Sequence, residues 1–107
     1  MLTPLQLNEA VQRIVVNVSQ PAKVILFGSY ARGDADEGSD LDLMVVEREL
    51  TDKASEYLKL KQAIGRIGVG VDLLLFSELE FQRRSQVPGT VLYWAKMEGK
   101  VLHDSAA

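Results

Sequence analysis

Two short apolar segments constrain the fold of this 107-residue chain more than any other feature. Small residues follow the end of the first segment, and acidic residues lie at the start of the second. The first segment, Lys23–Phe27, contains β-branched residues and stops at a Gly-Ser pair, which is typical of a buried strand that ends in a turn. The second segment, Leu41–Val46, begins beside Asp40 and includes Asp42. Because side chains alternate along a strand, Asp40 and Asp42 share one face of it.

A third acidic residue lies in another predicted strand. Asp72 falls near the start of the apolar segment Val69–Phe76, and a helical pattern over Thr51–Gly65 precedes that segment. For Asp72 to join the other two aspartates, the second and third strands must be parallel, with the helix as a right-handed crossover. For the Gly-Ser turn to join them, the first strand must be antiparallel to the second. We therefore predict an α/β (α+β) fold, in which a small mixed sheet of three main strands has the order 1-2-3 with strand 2 central, and helices pack over it.

Helices are predicted over much of the remaining chain. Thr3 followed by Pro4 is a typical helix start, and apolar residues at helical spacing continue to about Ser19. Residues 100–103 are compatible with a short edge strand. Three shorter helical segments are also predicted: Ser29–Arg32, Ser77–Arg84 and Thr90–Met97. Because the chain shows no repeat or linker, we predict a single domain over residues 1–107.

The composition limits the metal chemistry of the chain. Cysteine is absent and His103 is the only histidine, so neither thiolates nor histidine clusters are available as metal ligands. Carboxylates remain, and they suit Mg²⁺ or Mn²⁺. Asp40, Asp42 and Asp72 would repel each other on a common surface, and bound cations would relieve that repulsion.

The charge balance limits the partners. A net charge of −3 and a pI of about 5.1 argue against a broad nucleic-acid-binding surface. The first residues lack the basic segment of a signal peptide, and no apolar stretch reaches the length of a membrane span. We therefore expect a cytoplasmic protein that neither enters the membrane nor binds nucleic acid directly.

The order Gly-Ser, spacer, Asp-x-Asp resembles the signature of the minimal nucleotidyltransferase (MNT) domain of the DNA polymerase β-type superfamily. The signature falls on Gly28, Ser29, Asp40 and Asp42, and Asp72 matches the third acidic position of the family. The resemblance therefore covers nearly the whole chain. It implies that Asp40, Asp42 and Asp72 are catalytic and bind two Mg²⁺ ions, with Mn²⁺ as an alternative. It also implies that ATP or another nucleoside triphosphate is the substrate, and that Asp72 helps to deprotonate the acceptor hydroxyl.

Three residues near the first turn are expected to bind the nucleotide. Gly28 allows the backbone to approach a phosphate closely, and Ser29 lies at a helix N-terminus, which favours the β- and γ-phosphates. Arg32 follows one helical turn later and is a further candidate for contact with the triphosphate.

The resemblance extends to a biological context. Stand-alone MNT proteins resemble the antitoxin of HEPN/MNT pairs, in which the MNT protein adenylylates a tyrosine of its HEPN ribonuclease partner. We therefore expect transfer of AMP to a hydroxyl of a HEPN-type partner protein, with selectivity supplied by that partner or by homo-oligomerisation. Two alternatives remain: a non-catalytic antitoxin that neutralises a partner by docking, and an antibiotic-type enzyme that modifies a small molecule.

Several aromatic and basic residues receive a structural interpretation. Trp94 is predicted to lie in the core, with Tyr93 partly in it, rather than to stack on a base. Tyr30 is expected either to flank the nucleotide or to pack on its helix. Arg83, Arg84 and Lys96 are interpreted as solvated charges.

Overall fold

The computed structural model describes residues 1–105, over which the chain forms five helices and four strands. The elements are α1 (Pro4–Val15), β1 (Ala22–Phe27), α2 (Gly28–Arg32), β2 (Leu41–Glu47), α3 (Lys53–Ile64), β3 (Val71–Ser77), α4 (Glu78–Arg84), α5 (Val91–Glu98) and β4 (Lys100–Asp104). Residues 106–107, the end of the predicted single domain, lie outside the described residues, and that domain assignment stays a prediction.

Helix α1 begins as predicted and ends earlier than predicted. The Thr3 side chain accepts the Gln6 backbone N–H, and the Gln6 side chain accepts the Thr3 N–H, so the first turn is capped on both sides. The helix stops at Val15 instead of Ser19. Asn17 Nδ2 donates to the Arg13 carbonyl at 2.7 Å, which satisfies a terminal acceptor, and the Ser19 N–H donates to Glu56 of α3 instead of continuing the helix.

The sheet has four strands in the order β3-β2-β1-β4. β1 pairs antiparallel with β2, and β2 pairs parallel with β3, as the predicted assembly requires. The prediction of three strands in the order 1-2-3 is corrected, because β4 pairs antiparallel with the outer edge of β1. The chain can return along that edge because α5 ends at Gly99, whose N–H donates to the Ala95 carbonyl. Strands β1 and β2 are therefore both internal.

Helices cover both faces of the sheet. Leu41, Leu43 and Val45 of β2 lie on the face that packs against α1 and α3. Met44 and Val46 lie on the other face, where α5 and Phe76 complete a second apolar cluster. The alternation predicted along β2 is thus present, and it places Asp42 on the same face as Met44.

The helices are short. Among residues 1–105, none is both long enough and apolar enough to traverse a lipid bilayer.

Candidate active site

Aspartates from two strands lie side by side at one end of the sheet. The parallel register of β2 and β3 places Asp42 directly opposite Asp72. The antiparallel register of β1 and β2 places Asp42 opposite Phe27, the last residue of β1. Asp40 precedes β2 by one residue and contributes negative charge to the surroundings of Asp42. We call Asp40, Asp42 and Asp72 the acidic cluster.

Gly28 makes room for the acidic cluster. Its φ is +73°, and a Cβ at this position would lie 3.0 Å from Asp42 Cγ and overlap Oδ2 of the same carboxylate. A larger residue would therefore be strained in its backbone and would displace Asp42. The turn that closes β1 and the carboxylate of β2 are thus built in close contact.

Gly70 does the same for Asp40, and sequence reasoning missed it. A Cβ on Gly70 would lie 3.0 Å from Asp40 Cγ and overlap Oδ1. The Leu41 N–H donates to the Gly70 carbonyl at 2.8 Å, so the pairing of β2 with the segment before β3 begins beside Asp40. The only available signal was the position of this glycine two residues before Asp72.

The electrostatics of the acidic cluster favour bound positive charge. Burial raises the pKa of Asp42 from its ordinary value of 3.8 to about 6, and a hydrogen bond with Asp72 and the negative charges of Asp72 and Asp40 act in the same direction. Arg32 partly opposes this increase in the pKa. A cation placed between these carboxylates would remove the repulsion.

The acidic cluster is not a closed cage. Within the described range 1–105, no group of three acidic, histidine or cysteine side chains is arranged as a ready-made metal site. Asp42 and Asp72 meet across the strands, whereas Asp40 is held at the preceding loop by Gly70.

A cavity of about 440 Å³ opens beside Gly28. It is lined by Phe27, Gly28, Arg32, Trp94 and Glu98. Arg32 is half-exposed, and its Nε lies 3.4 Å from Asp34 Oδ2, an exposed ion pair that leaves the guanidinium close to Asp42. The structure therefore brings Arg32 to the same end of the sheet as the acidic cluster.

The prediction that Trp94 is a core residue is wrong. The Trp94 side chain is 49% exposed and faces the cavity. Helix α5 buries Leu92 and Ala95, which are three residues apart, and Trp94 lies off that face. Tyr93 is half-buried, as predicted, and its ring packs edge-on against Trp94 at 5.3 Å between centroids.

The residues after Gly28 have distinct environments. The Ser29 hydroxyl finds no hydrogen-bond partner within residues 1–105, and α2 begins without a side-chain cap, so N–H groups of its first turn are free. Tyr30 packs against the core, and its hydroxyl accepts the Leu2 N–H at 3.1 Å. Of the two interpretations of Tyr30, packing is therefore the one that the structure supports.

A second pair of acids lies at the opposite end of β2, away from this site. Glu47 is fully buried, and within residues 1–105 neither of its oxygens has a hydrogen-bond partner in good geometry. The Gln20 N–H and the charge of Lys59 lie near enough to oppose the rise of its pKa only in part. Burial, and then the adjacent Glu56 carboxylate, raise the pKa of Glu47 to about 8, so a protonated Glu47 donates to Glu56. Burial alone would raise the pKa of Glu56. Hydrogen bonds from Glu47, Ser19 and Lys59 outweigh burial and lower this pKa to about 2. The two acids therefore share one proton and one charge.

Comparison with known families identifies the domain. Residues 6–92 match the family described as "Nucleotidyltransferase domain". The chain belongs to this family. The predicted membership of the nucleotidyltransferases is thereby confirmed.

Relatives of this nucleotidyltransferase domain carry more specific names. The chain is 42% identical to "Putative protein adenylyltransferase MJ0141" of Methanocaldococcus jannaschii over 53 residues. The aligned segment covers 50% of this chain and 52% of the relative. The chain thus spans about half the length of this curated relative.

Solved structures share the fold of this nucleotidyltransferase domain. A toxin-antitoxin structure with AMP-PNP superposes with a TM-score of 0.67 at 22% identity, covering 91% of this chain and 72% of that one. A structure of the tri-AMPylated Shewanella oneidensis HEPN toxin in complex with MNT antitoxin gives a TM-score of 0.59 at 21% identity, covering 94% and 71%. At this identity the likeness establishes the fold alone.

Proposed function

We propose that this protein transfers a nucleoside monophosphate, AMP from ATP, to a hydroxyl group. The observation that carries the proposal is the placement of Asp42 opposite Asp72, in contact with the Gly28 turn at the end of β1. Family membership supports the reaction class, and two-metal transfer of this kind needs carboxylates such as those of the acidic cluster.

The acidic cluster offers the carboxylate oxygens that divalent cations such as Mg²⁺ prefer. Asp40, Asp42 and Asp72 would hold two Mg²⁺ ions, or Mn²⁺, because oxygen ligands suit these metals and because bound cations would offset the repulsion that, together with burial, raises the pKa of Asp42. When bound, such ions polarise the α-phosphate and favour the ionised form of the acceptor hydroxyl. Gly28 and Gly70 leave the space that the carboxylates of Asp42 and Asp40 occupy.

The remaining residues position the reactants. The free N–H groups at the start of α2 and the unpaired Ser29 hydroxyl are donors for the β- and γ-phosphates, and Gly28 allows close approach. Arg32 adds positive charge on the same side. Asp72 is exposed at the rim of the acidic cluster, where it would accept the proton of the incoming hydroxyl.

Trp94 supplies an apolar surface for the base. Its exposed indole faces the cavity that Gly28 and Arg32 also line, next to the proposed phosphate site. Stacking on an aromatic ring is sequence-tolerant and contributes about 1–3 kcal/mol per base. We propose that the adenine of ATP stacks on Trp94.

The names of the relatives support a protein as the acceptor. One relative is named as a protein adenylyltransferase, and one solved neighbour contains a tri-AMPylated HEPN toxin with its MNT antitoxin. We propose that the acceptor is a hydroxyl of a HEPN-type partner in the cytoplasm, and that the protein acts as the antitoxin. The net charge of −3 is consistent with a protein partner rather than nucleic acid.

Label transfer tests the proposal. The purified protein is incubated with Mg²⁺ and ATP in a lysate of its source cells, with the radiolabel on either the α- or the γ-phosphate. Nucleotidyl transfer predicts a labelled protein band from α-labelled ATP alone, and its loss in Asp42→Asn. Asp52→Asn is the matched control, because it makes the same chemical change at a helix N-cap where asparagine also caps.

The other outcomes separate the alternatives. A band that takes label from γ-labelled ATP and disappears in Asp42→Asn would contradict nucleotidyl transfer, whereas kinases of the lysate give γ-label that does not depend on Asp42. No label, with Asp42→Asn still co-purifying with the same partner, would favour the docking antitoxin. Label found only on small molecules would favour the antibiotic-type enzyme.

A further inference from the structure

Strand β3 forms one edge of the sheet, and an apolar groove runs along it. The groove has a volume of about 690 Å³ and lies between β3 and the outer side of α3. On its α3 side, Leu58 is 59% exposed and Tyr57 is 36% exposed. The groove is lined by Lys53, Ala54, Tyr57, Leu58 and residues 73–76.

The backbone groups that face outward from β3 follow from its register. The Leu41 N–H donates to the Gly70 carbonyl, and in a parallel ladder one residue bonds to the two residues that flank its partner. The even-numbered residues of β3 therefore bond to β2, and the odd-numbered residues direct their N–H and C=O groups outward.

Both ends of this outward edge are already capped. Lys61 Nζ donates to the Val71 carbonyl at 2.7 Å, and the Ser77 N–H donates to Glu80 Oε1 at 3.2 Å. In the middle, the outward N–H and C=O groups of Leu73 and Leu75 have no partner within the described part of the chain. An unpaired edge of this kind is a template for another strand.

The two edges of the sheet differ in a way that favours pairing through β3. β4 carries Lys100, and its register with β1 shifts between Val24 and Ile25. β3 pairs with β2 without a shift over its whole length, and it contains neither lysine nor proline. Charged residues and bulges protect an edge from association. β4 has both, whereas β3 has no bulge and its one charged residue, Asp72, lies near its start, away from Leu73 to Phe76.

We propose that β3 pairs antiparallel with β3 of a second copy of this chain, with Leu74 facing Leu74 of the second copy across a two-fold axis. In this register Leu73 lies opposite Leu75 of the second copy, and each such pair exchanges both N–H···O=C bonds. The two-fold axis generates two such pairs, and together they satisfy the outward N–H and C=O groups of Leu73 and Leu75 in both copies. The pairing does not require the Val71 carbonyl or the Ser77 N–H, which are already bonded within each copy.

The same register is electrostatically complementary. Asp72 lies opposite Phe76 of the second copy, and in each copy the Phe76 ring carries Lys53 Nζ at 4.5 Å and Arg84 Cζ at 5.3 Å from its centroid. Asp72 of one copy therefore lies near two cations of the other, of which Lys53 also pairs with Glu80 of its own copy at 3.9 Å. A different protein could occupy this edge only if it had both an unpaired strand and two cations at matching positions. A second copy of this chain has the strand and the cations, which favours self-pairing. Because β4 is protected, the pairing closes as a dimer.

Cysteine cross-linking tests the register. The chain has no cysteine, so Leu74→Cys introduces a single thiol. Leu74 pairs with itself at a non-hydrogen-bonded position, where Cβ atoms lie about 4.5–5.5 Å apart, close to the spacing that a disulfide needs. We expect a covalent dimer under mild oxidation, and its absence in the control Leu5→Cys, whose residue is 67% exposed on α1. Equal cross-linking of the two variants would overturn the proposal.

Sedimentation of the unmodified chain provides a test that needs no variant. We expect the measured mass to double as concentration rises, and a monomer at every concentration would overturn the proposal. Leu74→Lys and Leu74→Glu, confirmed as folded by circular dichroism, should each be monomeric because like charges meet at the axis. Their mixture should recover the dimer mass. A mixture that stays monomeric, or dimerises only with a co-purifying protein, would contradict self-pairing.

Discussion

Raising the pH from 6 to 8 should destabilise this protein, because Glu47 is buried beside Glu56 without a cationic partner of its own. Burial and Glu56 raise the pKa of Glu47 from an ordinary value of 4.5 to about 8 in the folded state. A folded chain therefore keeps a proton on Glu47 at pH 6, whereas an unfolded chain has lost it. Since the folded state binds more protons, its stability falls as the pH rises through this window.

The magnitude follows from the width of the window. One additional bound proton changes the free energy of unfolding by about 1.4 kcal/mol per pH unit. Over the two units, and allowing for half-titration of Glu47 at pH 8, the loss is about 2 kcal/mol. Glu56, with a pKa of about 2, is ionised in both states throughout and contributes nothing. Asp42, with a pKa of about 6, changes the stability in the same direction but by less, because its titration is already half complete at the lower end of the window and it is partly exposed.

Urea unfolding followed by circular dichroism at pH 6 and pH 8 measures this loss. Glu47→Gln is the matched variant, because glutamine does not titrate and its amide still donates to Glu56. We expect the difference in the free energy of unfolding between the two pH values to fall from about 2 kcal/mol to well below about 1 kcal/mol in the variant. Equal pH dependence of the two proteins, or a wild type that gains stability with pH, would refute the shared proton.

Two further predictions concern the nucleotide side of the site. Gly28→Ala should destabilise the fold by more than Gly33→Ala does. Both glycines have positive φ, so each alanine brings backbone strain of about 1–2 kcal/mol, but only a Cβ on Gly28 overlaps Asp42. Equal melting temperatures for the two variants would contradict the close contact between Gly28 and Asp42. Trp94→Ala should weaken ATP binding about tenfold in a calorimetric titration, whereas Trp94→Phe should keep most of the wild-type affinity because its ring still stacks. Unchanged affinity in the alanine variant would show that the base does not stack on Trp94.

Much of the site's framework could be predicted from local patterns. The alternation along residues 41–46 places Asp42 on its face correctly, since side-chain period is fixed by strand geometry. The requirement that Asp42 meet Asp72 correctly yields a parallel pairing of β2 with β3, because carboxylates at the starts of two strands meet only in that arrangement. Whether Asp40, Asp42 and Asp72 bind metal stays a prediction.

The features that could not be predicted depend on contacts between distant parts of the chain. Gly70 matters because it touches Asp40, which lies 30 residues earlier. The exposure of Trp94 depends on which side of α5 faces the sheet, and a short helix rich in apolar residues does not specify that side. The apolar pattern predicts too late an end for α1 because Val18 continues it, whereas in the structure the Ser19 N–H donates to Glu56 of α3.

The most direct test of nucleotidyl transfer is the intact mass of a HEPN-type partner co-expressed with this protein and purified with it. We expect the partner to gain mass in steps of one AMP, and to lose this gain when Asp42→Asn replaces the wild type. Asp52→Asn should leave the gain unchanged. A partner of the same, unmodified mass beside wild type and Asp42→Asn alike would contradict the assignment of Asp42 and the acidic cluster to nucleotidyl transfer.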